Sequence, residues 1–178
     1  IISLCMKMYS SKKIEHAELI LTGPDSFRVK TLRTKDTMRN MIENTEKSLT
    51  ITGYSISDYF AEMLDVIIKK SQQGVYVRLY VNDTEKQKEV LDRLMSYRSR
   101  FLQIYKYQKQ EDDKMAALHA KLIVSDVKKS LVSSANLSYH GMQGNIEMGF
   151  LIESHDKAKQ IEEVMKEMVR MKIFGKYK

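Results

Sequence analysis

A chain of 178 residues, 43% of them hydrophobic, suits one domain with a sizeable core. Its net charge of +7 fits a polyanionic partner, either nucleic acid or an anionic membrane surface, and equally fits a plain solvated basic surface. Cys5 is the single cysteine, which excludes an internal disulfide and points to a reducing, cytoplasmic setting; no apolar run reaches the roughly 18–20 residues of a membrane span.

One proline, seven glycines and the lack of repeats or low-complexity tracts leave little room for a linker. The chain therefore reads as one domain over 15–178 behind an N-terminal extension, 1–14, with the pattern of a short amphipathic helix. The opening Ile1-Ile2-Ser3-Leu4-Cys5-Met6 has no initiator Met and is too short for a complete secretory signal, so further residues upstream are expected. The twelve Met residues read as core filler.

In chain order, Ala17 to Thr22 is a strand closed by the turn Gly23-Pro24-Asp25. Arg28, Lys30, Arg33 and Lys35 cluster behind it, either as an exposed loop or as a phosphate-contacting edge. Thr34 to Lys47 has helical spacing, with Thr34 as N-cap and Met38, Met41 and Ile42 inward. Leu49 to Ile56 is a strand; Ser57 or Asp58 caps a helix that ends at Gly74. Val75 to Val81 is a strand, Asp83 to Tyr97 a charged helix, and Phe101 to Tyr107 another strand. A polar loop, Lys109 to Lys114, leads to the central motif, where its acidic residues border a phosphate site rather than line it. Beyond the motif come a strand from Ile146 to Ile152, a helix capped by Ser154 and running to about Met171, and a basic tail, Lys172 to Lys178. Alternating helices and strands predict an α/β fold: a mixed, mainly parallel sheet flanked by helices on both faces.

The motif is Leu118 to Asp126, continued by Leu131 to Asn136, and reads as a β-hairpin with its turn at 127–130. A period of 2 puts His119, Lys121 and Ile123 on one face of the first strand, and Ser134 and Asn136 on one face of the second. A nucleophile or acid–base group thus stands beside a fixed cation, with hydroxyl and amide donors opposite. Phosphate chemistry needs such a kit: a group to attack or protonate, and donors for oxygens that carry charge. Alone, His119 on a buried strand would read as a hydrogen-bonded core histidine. His16, His140 and His155 have no comparable company and read as surface residues. No Cys, His or carboxylate set has metal-ligand spacing, so no metal and no cofactor is expected.

His-x-Lys, four residues, Asp, six residues, Ser-Ser-x-Asn resembles the HKD motif of the phospholipase D superfamily; His119, Lys121, Asp126, Ser134 and Asn136 match it position by position. Ser133 departs from it, standing where many members have Gly. Gly144-Asn145-Ile146-Glu147 also fits, since small nucleases of the superfamily carry a Glu at this spacing. Leu21-Thr22-Gly23-Pro24, with the Arg-Thr and Gly-Val stretches that follow, is similar to phospholipase-D-like proteins of phage-defence systems such as DISARM.

The resemblance implies metal-free phosphodiester hydrolysis. His119 attacks phosphorus, Lys121, Ser134 and Asn136 hold the non-bridging oxygens, and Glu147 orients His119 through Nδ1. Asp126, at the hairpin corner, is assigned to structure, satisfying turn amides. The motif occurs once and the family's site uses two, so a homodimer with its site on the two-fold axis is implied. Fusion to, or association with, other domains is compatible with this reading. Small size and basic charge favour DNA or RNA as substrate. Two rivals stay open: a phospholipid phosphodiesterase or transferase at a membrane surface, and a non-catalytic nucleic-acid-binding module.

Overall fold

In the computed structural model, residues 16–24, 29–53, 56–57, 60–82, 85–109 and 115–177 are described. Among them nine strands form one mixed sheet: β1 (His16–Thr22), β2 (Leu32–Arg33), β3 (Ser48–Gly53), β4 (Tyr76–Val81), β5 (Leu102–Tyr107), β6 (Lys121–Ser125), β7 (Lys129–Ser133), β8 (Glu147–Glu153) and β9 (Phe174–Lys176). The helices are α1 (Thr34–Glu43), α2 (Ala61–Gln72), α3 (Lys88–Met95) and α4 (His155–Arg170). The strand order β2-β1-β8-β7-β6-β3-β4-β5-β9 puts the motif hairpin, β6–β7, at the centre.

Strand alternation builds two layers. Leu49 and Ile51 of β3, Val77 and Leu79 of β4, Ile123, Leu131 and Leu151 pack under α1, α2 and α3 in the main core. Each fully buried aliphatic side chain stabilises by roughly 1.5–3 kcal/mol. On the opposite face Tyr80, Leu118 and Phe174 pack with Met165 of α4. Ser154 caps α4 as expected, its Oγ accepting from the Lys157 amide at 3.3 Å.

The mixed sheet and its flanking helices match the expected architecture, but its parallel share is smaller than the pattern suggested. Only β1–β2, β3–β4 and β4–β5 pair in parallel among the described strands; the pairings of β8 with β1 and β7, of β6 with β7 and β3, and of β5 with β9 are antiparallel. The physical reason is the central hairpin: a tight turn can only join antiparallel strands, and both its neighbours pair with it in that sense.

Several boundaries shift for local reasons. Thr34 is the first helical residue of α1 rather than its cap; Arg33 occupies the cap in an extended conformation. The helix stops at Glu43 instead of Lys47, because the Thr45 hydroxyl bonds the Met41 carbonyl at 2.6 Å and the next amides turn elsewhere. Phe60, not Ser57, stands at the N-cap of α2, and Asp58 lies outside the described residues. So do the extension 1–14 and most of the loop before the motif. The basic tail supplies an unforeseen strand, β9, on the edge of β5.

The amides drawn away from α1 belong to Glu46, Lys47 and Ser48, and all three donate to the Asp126 carboxylate, at 3.0, 2.7 and 3.0 Å. Asp126 therefore satisfies amides from a distant segment, not those of its own turn. It sits at φ 53, followed by Val127 at φ 53, so the hairpin turn spans 126–128 rather than 127–130. A β-branched residue there is strained. His155 Nδ1 meets the Val127 carbonyl at 2.8 Å and the Ser154 amide donates to Lys128 at 3.0 Å, holding the turn from the α4 side.

Burial pushes the Asp126 carboxyl up, but the three amides outweigh it and its pKa falls below the ordinary carboxylate value. Its stabilisation is then present above the unfolded-state pKa and is lost as pH falls through the lowered one. Asp126→Asn keeps a residue that tolerates positive φ while removing the charge, and should cost about 1–2 kcal/mol at neutral pH. Denaturant titrations should show that gap closing in acid; a gap independent of pH would contradict the assignment.

Candidate active site

The candidate site lies at the far end of β6 from Asp126, roughly 16 Å away at the rise of an extended strand. β6 starts only at Lys121, so His119 precedes the strand and is exposed rather than buried in it. Side chains replace the ladder there. Thr52 of β3 donates its hydroxyl to the Ala120 carbonyl at 2.6 Å and accepts from the Leu122 amide at 3.0 Å. Two residues earlier, Asn82 Oδ1 accepts from the Leu118 amide at 2.8 Å. The segment bearing His119 is thereby fixed at both ends without being covered.

Lys121 shares the face of Ile123, which draws its stem into the core, and only 7% of the residue is exposed. Its Nζ lies 2.9 Å from Nδ1 and 3.1 Å from Nε2 of His119. The two ring nitrogens face in diverging directions, and in the neutral ring only one of them can accept, so one ammonium cannot be aligned with both. It instead stands against the ring as a fixed charge. Burial lowers the Lys121 pKa, and the Glu147 charge partly restores it.

Glu147 opens β8 and ties the second half of the motif together. One carboxylate oxygen accepts from the Ser134 hydroxyl in a short bond, and the other accepts from Asn145 Nδ2 at 2.9 Å. Ser134 Oγ also receives the Met148 amide at 3.2 Å, so the hydroxyl is held from both sides. Asn136 is half-buried, and its Oδ1 has no hydrogen-bond partner. Two glycines set this geometry. A Cβ on Gly149 would stand 2.3 Å from the Val132 carbonyl oxygen, and one on Gly141 2.2 Å from that of Asn136. Only glycine lets β8 and the helical turn 140–144 approach the motif so closely.

The structure thus joins His119 to Lys121, Lys121 to the field of Glu147, and Glu147 to Ser134. Lys30, Arg33 and Lys35 line a groove of about 820 Å³ beside β1 and α1, whereas Arg28 lies outside the described residues. Thr52, Asn82, Asn145, Gly141 and Gly149 escaped sequence reasoning. Gly149 alone carries a signal, since a glycine inside a strand marks close backbone approach. Among the described residues no three His, Cys, Asp or Glu side chains gather to hold a metal ion.

The mixed sheet between helical layers, with the hairpin of His119 and Lys121 at its centre, is that of a phospholipase-D-like domain, and the chain belongs to that superfamily: residues 38–169 match the family described as "Cardiolipin synthase, PLD-like domain". It is 31% identical over 176 residues to the DISARM protein DrmC of Bacillus paralicheniformis, covering 97% of this chain and 72% of that one. Among solved structures it resembles Nuc, a phospholipase D family member from Salmonella typhimurium, with TM-score 0.69 at 14% identity over 92% of this chain and 99% of Nuc. The phosphatidylserine synthase of Haemophilus influenzae superposes with TM-score 0.70 at 13% identity, over 94% of this chain but 41% of the synthase.

The buried ammonium yields a prediction. A folded-state lysine with a lowered pKa holds fewer protons than the unfolded one, so stability rises with pH from the lowered value to the unfolded one. Lys121→Met fills the same space without charge. Its melting temperature should equal or exceed the wild type's near neutral pH, and the difference should shrink in alkali. A loss of several degrees would show that the charge stabilises the fold.

Proposed function

We propose that this protein is a metal-independent phosphodiesterase that cleaves DNA or RNA through a phosphohistidine. The observation that carries this reading is the Lys121 ammonium held against the ring of an exposed His119. One His119 attacks phosphorus; a P–N bond forms as the P–O bond to the leaving group breaks, and a second His119 gives that oxygen its proton. The second imidazole then takes a proton from water, which attacks the phosphohistidine, breaks the P–N bond and frees the first His119. Lys121, Ser134 and Asn136 stabilise the negative oxygens through both steps. In this scheme Glu147 positions the site through its bond from Ser134, and the orienting of His119 is the role the family resemblance implies for it.

Two histidines call for two chains, because the motif occurs once. A homodimer also suits an exposed apolar strip on the α4 face of the sheet. Leu19, Val132 and Phe150 lie in one row across β1, β8 and β7, with Met148 beside them, each between a third and just over half exposed. Patches of this kind mark protein–protein contacts. The +7 charge and the basic groove favour nucleic acid, and the similarity to a DISARM protein supports a place in phage defence alongside partner proteins. No helix among the described residues is long and apolar enough to cross a membrane.

A second reading, a phospholipid phosphodiesterase or transferase, is favoured by the family's cardiolipin synthase description and the phosphatidylserine synthase match. Incubation with single-stranded DNA, RNA and phosphatidylcholine vesicles in EDTA separates the two. Nucleic acid should be cut with EDTA present, and His119→Asn should lose about a thousand-fold or more in rate while still binding it. Acid-quenched reactions should contain a phosphorylated histidine at position 119. Cleavage of the lipid alone would favour the second reading, and activity restored only by added metal would exclude the mechanism.

A further inference from the structure

The groove beside the site has features the phosphodiester chemistry does not use. Its floor is the N-terminus of α1, a helix of 10 residues whose cap residue, Arg33, gives no side-chain cap hydrogen bond. First-turn amides and the helix dipole there favour an anion. Thr34, the first helical residue, lines the groove with 1% of its surface exposed, and its hydroxyl has no hydrogen-bond partner. Lys30, Arg33, Lys35 and Arg39 surround this end; Asp36 is the one carboxylate against them among the lining residues, leaving a balance of three positive charges. Arg39 is braced by Glu43 at 2.8 Å on the exposed side of the helix.

The opposite wall connects this groove to the catalytic end of the sheet. It is formed by Tyr139, Met142 and Gln143 around the helical turn that follows the motif. Gly141 of that turn lies against the Asn136 backbone, and its carbonyl accepts the Thr22 hydroxyl at 2.9 Å. Tyr139 is half-exposed on this wall, its ring edge-on to His140. A ligand that fills both places must therefore carry at least two anionic groups joined by a flexible spacer, and a flat group on it would find the exposed part of Tyr139.

We infer that this groove binds a flanking phosphate of a single-stranded polynucleotide whose scissile phosphate lies at His119, with an unstacked base against Tyr139. A single strand meets all three demands: repeated phosphates, a flexible backbone, and bases free to stack on aromatic side chains. A duplex keeps its bases paired and leaves the tyrosine unused. The inference rests on the nuclease reading for the position of the scissile phosphate, but the binding it describes needs no turnover.

The test is fluorescence anisotropy with labelled oligothymidylates of about three and about twelve nucleotides, lengths that bracket a short single-strand site. The full chain carries His119→Asn to suppress cleavage. Lys30→Glu with Arg39→Glu should weaken the longer oligonucleotide at least tenfold and lower its salt slope by about two, while the shorter one changes less than twofold. Gln143→Lys should tighten the longer one. Melting curves check that the variants fold, as expected for exposed charges. Unchanged binding of the longer oligonucleotide, equal loss for both lengths, no gain with Gln143→Lys, or tighter binding of a duplex would each overturn the inference. If wild-type protein fails to cleave but the length dependence holds, the catalytic reading falls and the groove stands.

Discussion

An ammonium buried at the end of a central strand is the constraint around which this molecule is arranged. Charge removed from water costs several kcal/mol unless other groups replace the hydration. Lys121 shares the face of Ile123 and is carried into the main core, where burial lowers its pKa. His119 and Glu147 supply part of what water would. In the proposed reaction this fixed positive charge beside His119 would attract a phosphate and the negative charge that grows on it.

Such a group works only if its surroundings cannot relax toward it. The hairpin is anchored at both ends by contacts from distant segments. At the turn, Asp126 takes three amides of the α1–β3 connection, while α4 holds Val127 and Lys128. At the site end, Thr52 and Asn82 fix the backbone around His119 from β3 and the end of β4. Gly149 and Gly141 let the next strand and turn close against the motif. Rigid elements thus carry Lys121, Ser134 and Asn136, and an exposed segment carries His119, an arrangement that suits the proposed reaction.

How much of this the sequence reveals depends on the range of the interaction. The hairpin, β4, β5 and α4 follow from local periodicity and a good cap, so their residues announce them. His119, Lys121, Ser134, Asn136 and Glu147 are singled out as candidates by a spacing shared with a known family rather than by any property of each residue. Strand direction is not local: the antiparallel pairing of β6 with β3 depends on where a hairpin inserts in a sheet, which no window of residues records. The same holds for Asp126, whose partners lie 78 to 80 residues away, and for Thr52, whose hydroxyl bonds a carbonyl 68 residues on. β2 and β9 are too short, at 2 and 3 residues, to show a period.

In the proposed mechanism two chains build one reaction centre, since one His119 cannot serve as nucleophile and as acid together. Wild-type and His119→Asn chains, mixed in equal amounts and allowed to exchange subunits fully, measure it directly. Random pairing leaves about a quarter of the dimers wild-type and about half mixed. A shared centre predicts residual activity near a quarter of the all-wild-type value; a residual near one half would mean that each chain acts alone, and would contradict it.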